Sequence, residues 1–101
     1  MISTHSLAKS PLQAYLVDFL RFLSLEKQAS SLTVKSYRED ISQAIRHLVQ
    51  QYSGVLSIER ISPRHLRAWM AWLQEQGYAR STMSRRLSAV RAWFRFMRRR
   101  G

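Results

Sequence analysis

Proline occurs twice in these 101 residues, and each time it follows a serine and precedes a row of apolar residues at helical spacing. Proline is tolerated at the first position of a helix and not in its interior, and serine is a favoured cap. The internal glycines, Gly54 and Gly77, stand where such rows stop, as expected of a residue that takes the left-handed conformation cheaply. This punctuation divides the chain into four helices and leaves no strand signal.

The first helix is expected over 11–26, capped by Ser10, with Leu12, Tyr15, Leu16, Phe19, Leu20 and Leu23 in its apolar row. It is apolar enough to be largely buried. The second is expected over 31–52, capped by Ser30 or Ser31 and ended by Ser53-Gly54, with Val34, Tyr37, Ile41, Ala44, Ile45 and Leu48 inward. The third spans 63–76, with Ser62 as cap, Ile61 packing on Leu66 as a hydrophobic staple, Trp69, Met70 and Leu73 inward, and Gly77 as stop. The fourth spans 82–99, capped by Ser81, with Met83, Leu87, Val90, Phe94 and Met97 on one side. Residues 1–9 read as a flexible lead-in and 55–60 as a linker. The fold class is therefore all-α: one compact four-helix domain over 10–101.

Charge singles out the fourth helix. The chain carries 17 Lys and Arg against 6 Asp and Glu, a net +11. Residues 1–50 contribute six basic and four acidic side chains, and 51–101 contribute eleven and two. From Gly77 onward there are eight arginines and no acid. A basic excess gathered in this way points to a polyanionic partner, nucleic acid first.

At about 100° per residue, Ser81, Ser84, Ser88, Arg91, Arg95 and Arg98 form one stripe. Serines let a backbone approach closely, and arginines reach phosphates and guanine edges. Arg98, Arg99 and Arg100 also suit a helix C-terminus. Arg80, Arg85 and Arg86 crowd the N-terminus, where the helix dipole disfavours cations and no neighbouring acid offsets them, which suggests anion binding. Thr33, Lys35, Ser36 and Arg38 form a second polar and basic point at the start of the second helix. Phe96 and Trp72 lie off the expected core rows, as candidate protein contacts, and Trp93 borders the core.

Catalytic and metal chemistry find no footing. There is no cysteine, which removes disulfides and thiolate sites. His5, His47 and His65 lack ligand spacing, and the six acids form no recognisable pair. Asp40 is expected on the helix surface. No cofactor is expected, nor a signal peptide or membrane span, so the expected location is cytoplasmic and nucleoid-associated.

Two stretches resemble one family. Leu32-Thr-Val-Lys-Ser-Tyr-Arg-Glu-Asp-Ile41 is similar to the T-x-x-x-Y-x-x-x-L/I pattern early in tyrosine recombinases, the phage integrases and Xer-type enzymes. The segment from Gly77 to Phe96 resembles their second pattern, a Gly turn and Ser/Thr cap before R-x-L-S-A-[LV]-R and an aromatic pair. The resemblance covers about 10–100 and implies the N-terminal core-binding domain, a SAM-like bundle of four helices. In that family this domain clamps duplex DNA opposite a C-terminal domain that carries the tyrosine nucleophile. The sequence to Gly101 is expected to lack that catalytic domain and so to bind and not by itself to catalyse. By motif, the implied DNA-binding residues are Thr33, with Lys35 and Arg38 just beyond the strict pattern, and Ser81, Thr82, Ser84, Arg85, Ser88, Arg91 and Arg95; the charge reading adds Arg80. Other recombinase protomers are the second implied partner, with Phe96 and Trp72 as contacts. A standalone DNA binder, a module docking on an acidic protein and an RNA-binding domain are the alternative readings.

Overall fold

The computed structural model describes residues 11–52 and 58–100. Four helices account for most of them: α1 (Pro11–Leu25), α2 (Ser31–Gln51), α3 (Pro63–Glu75) and α4 (Arg80–Arg100), with a 3-10 turn at Ile58–Arg60 before α3. No strand occurs among the described residues. Ser10, Ser53, Gly54 and the lead-in lie outside the described residues.

The helix ends follow local chemistry. The Ser30 side chain accepts from the Thr33 N–H at 3.1 Å, so Ser30 rather than Ser31 caps α2. Ser62 and Pro63 open α3 as expected, but the residue that completes its capping box is His65, whose Nδ1 accepts from the Ser62 N–H at 2.9 Å. An imidazole that accepts there carries its proton on Nε2. At the end of α3, the N–H groups of Gly77 and Tyr78 return to the carbonyls of Gln74 and Leu73, with Gly77 at φ 87°. This is the Schellman arrangement, and it needs a residue at ease in the left-handed region. Ser81 does not cap α4. The first intrahelical bond runs from the Met83 N–H to the Ala79 carbonyl, which leaves Ser81 inside the first turn.

Helices α2 and α4 each touch all three of the others. The buried side chains of α4 are Ala89, Val90, Trp93, Phe96 and Met97. The buried arc is thus turned by roughly 80°, at about 100° per residue, from the expected row centred on Met83. Leu87, Met83 and Phe94 are only half-buried, and Trp93 is fully buried rather than bordering the core. Phe96 is inside, its ring 5.3 Å from Phe19 and 4.9 Å from Phe22. Tyr37 of α2 meets Phe19 edge-on at 5.7 Å, so one aromatic node joins α1, α2 and α4. Trp72 is half-buried against the core with its ring 4.9 Å from that of His47. Phe96 is therefore not the free surface residue expected of it, while Trp72 stays partly exposed. The reverse holds on α1, where Tyr15, Val17 and Leu25 are exposed, so that helix buries one side only.

His47 is buried at the α2–α3 contact, and burial pushes its imidazole below the ordinary 6.5. The native state therefore binds fewer protons at this site than the unfolded chain. Its contribution to stability is present above about pH 6.5 and is lost as pH falls through the native value. Urea midpoints should drop between pH 7 and pH 5, and His47→Leu should flatten that dependence relative to the parent chain. Phe96→Ala should cost about 3–5 kcal/mol in urea unfolding, as expected for emptying a buried aromatic site.

Candidate nucleic-acid interface

The α2–α4 contact is built on one carboxylate. Asp40 occupies the same side of α2 as Tyr37, Ile41 and Ala44, and it is 3% exposed rather than on the surface. Arg85 grips it with both ends of its fork, Nε to Oδ2 at 3.0 Å and Nη2 to Oδ1 at 2.9 Å. Arg86 lies alongside, Nε to Oδ1 at 3.5 Å, and donates through Nη1 to the Gln43 side-chain carbonyl. The pairing corrects the expectation that no acid offsets the cations of the α4 N-terminus. That acid comes from α2, 45 residues earlier in the chain.

The two arginines then diverge. Arg86 turns inward, with its guanidinium 4.3 Å from the centre of the Tyr78 ring. Arg85 keeps a side chain 55% exposed. Hydrogen bonding to Asp40, and then the carboxylate's charge, hold the Arg85 guanidinium still more firmly protonated than usual. The neighbouring Arg86 guanidinium, and then the Gln43 amide donating to the Tyr78 hydroxyl at 3.1 Å, pull that phenol below its ordinary value.

Thr33, Ser36, Tyr37 and Asp40 of α2 face Arg85, Ser88 and Ala89 of α4 across a groove of about 400 Å³. A second groove, of about 290 Å³, lies between the start of α3 and the later turns of α4. Ser62, Pro63, Leu66 and Phe94 line it, with Arg91, Arg95 and Arg98 around them. A third, of about 200 Å³ between α1 and α4, has Lys27, Arg95 and Arg99 beside Phe22 and Tyr37.

The structure brings Thr33, Arg85 and Ser88 together in the first groove, and Arg91 and Arg95 in the second. Arg80, Ser81 and Ser84 are exposed on α4 and Thr82 is half-buried, and none of them lines these grooves. Lys35 and Arg38 are exposed on α2 about half a turn away from the side that carries Thr33, Ser36 and Asp40. All six members of the stripe, Ser81, Ser84, Ser88, Arg91, Arg95 and Arg98, are exposed. Their mean direction is roughly opposite the buried arc of α4.

Asp40, Gln43 and Tyr78 were not legible as parts of this site. The available signal was a carboxylate within an apolar row, because a buried charge requires a partner. Among the described residues no group of His, Asp or Glu could hold a metal ion, and no helix is long and apolar enough to cross a membrane.

The model of the phage integrase N-terminal SAM-like domain matches residues 16–101. The chain belongs to that family. Similar relatives include tyrosine recombinase XerC of Natranaerobius thermophilus, 37% identical over 84 residues, which is 83% of this chain and 28% of that protein. Tyrosine recombinase XerC of Herpetosiphon aurantiacus is 31% identical over 86 residues, 85% of this chain and 28% of the relative. Tyrosine recombinase XerD of Brucella abortus is 35% identical over 80 residues, 79% of this chain and 25% of the relative. This SAM-like domain thus spans between 25% and 28% of the length of these relatives. No solved structure matches it. The four-helix bundle is the fold that the family resemblance implied.

Replacing Arg86 by Met should remove the larger of the two influences that lower the Tyr78 phenol. The ionisation of that phenol can be isolated as the difference in ultraviolet titration between a chain and its Tyr78→Phe variant. In the Arg86→Met background this difference should move to higher pH. The same substitution should cost about 1–3 kcal/mol of stability by leaving Gln43 and Asp40 short of partners.

Proposed function

We propose that this domain binds duplex DNA across α2 and α4 as the N-terminal DNA-binding part of a site-specific tyrosine recombinase, and that the bond-making steps belong to another part of that enzyme. The observation that carries the reading is the exposed stripe of α4, three serines followed by three arginines with no acid among them. Small polar residues at the start permit close approach to a duplex, and guanidinium groups further along reach phosphates or guanine edges. Family membership supports the same reading, because the similar proteins are named as tyrosine recombinases. Recombinase protomers are the second partner that the family suggests. The buried Phe96 ring is not available to them in the folded domain. The alternative of a module docking on an acidic protein loses Phe96, one of the two aromatics that motivated it.

Fluorescence anisotropy at low salt tests the proposal. Binding to duplex should weaken linearly with the logarithm of salt concentration as counterions are released, with Kd about 10⁻⁴–10⁻⁶ M for unspecific duplex at physiological salt. Arg91→Ala should weaken binding and reduce the salt slope by about one while leaving thermal stability unchanged. Structured RNA should compete poorly. Absence of any duplex binding at low salt would overturn the reading.

A further inference from the structure

Asp40 holds a position that plain electrostatics would call unfavourable for a DNA-binding surface. It is an acid lining the α2–α4 groove and paired with an arginine implied in DNA contact. Three observations give it a use. Asp40 engages Nε and Nη2 of Arg85, so the fork is held on two points and Nη1 has no partner among the described residues. The Arg85 side chain is 55% exposed although its inner edge is fixed, so its outer edge is presented at the surface. Beside it stand the side chains of Ser36, Ser88 and Thr33. The Thr33 hydroxyl accepts from the Ser30 hydroxyl, which leaves the Thr33 proton available for donation. Arg86 shares the carboxylate, so the two guanidiniums and one carboxylate keep a net positive charge.

We propose that the α2–α4 groove seats one backbone phosphodiester of the duplex, with Arg85 and the hydroxyls of Ser36 and Ser88 as donors, and that Asp40 is the positioning residue that fixes the Arg85 fork for it. The proposal rests on the DNA-binding reading above and deepens it. A guanidinium held on two points loses less freedom when it takes a phosphate, so its hydrogen bond contributes more net affinity. Asp40 thereby favours the binding of a polyanion despite its own negative charge. Glu39 provides the contrast: it is exposed, acts on Arg85 only through space, and should merely repel.

The test is a set of duplex-binding titrations whose signs differ. Glu39→Gln should tighten binding slightly. Asp40→Asn also removes one negative charge, yet it should weaken binding by about tenfold, the size of one charge-assisted hydrogen bond, and lower the salt slope by about one. In an Arg85→Ala background Asp40→Asn should have no further effect on affinity. Arg85→Lys keeps the charge and loses the fork, so it should bind as weakly as Arg85→Ala. It also decides the matter if Asp40→Asn fails to fold by circular dichroism. Tighter binding by Asp40→Asn, or wild-type affinity in Arg85→Lys, would overturn the positioning role while leaving the DNA-binding reading intact. Failure of the unaltered chain to bind any duplex would instead remove that reading, and the phosphate seat with it.

Discussion

A carboxylate buried as deeply as Asp40 needs opposite charge and donors within reach, because desolvation penalises an unpaired ion by several kcal/mol in order of magnitude. Here both partners are supplied by the first turns of α4, and the arrangement of α2 against α4 follows from that requirement. Arg85 and Arg86 are adjacent in sequence, in the second turn of α4. Asp40 offsets both, and in doing so it sets where α4 begins to pack on α2. The Tyr78 ring beneath Arg86 and the Gln43 side chain extend the same polar network to the turn between α3 and α4.

Towards its C-terminal half α4 is held differently. There the contacts are apolar, with Trp93, Phe96 and Met97 buried and the Phe19–Phe22–Phe96 rings clustered against α1. A polar lock at one end and an aromatic node at the other fix the rotation of α4 about its own axis. That rotation determines which side chains face outward, so the same contacts that stabilise the bundle expose the serine–arginine stripe. The binding surface is a consequence of core packing and not an independent feature of the basic segment.

Fold class and helix limits were largely legible because they depend on local chemistry. Ser62-Pro63, Ser30 and Gly77 act within a few residues of their own position, and each is found in the role its type suggests. The polar side of α4 was legible for the same reason, since six residues at regular spacing mark a face whatever they pack against. Its apolar side was not. Leu87 belongs to the expected row and Phe96 lies nearly opposite it, and only the presence of Phe19 and Phe22 on α1 decides that Phe96 goes inside. Lys35 and Arg38 show the same limit, because their place on the second helix was clear while the side that α4 would cover was not.

The amino-acid sequence alone determined four helices, their stops and starts, the acid-free basic segment and the family resemblance, all of which rest on spacing, composition and backbone preference. Tertiary structure decided that Asp40 is internal, that Arg85 reaches the surface while Arg86 does not, and that Thr33 and Ser36 meet Ser88 across one groove. The physical reason is that an ion pair between residues 40 and 85, like the seating of one aromatic ring among others, depends on which helix faces are brought together in space. Helical period specifies the faces of each helix but not their partners.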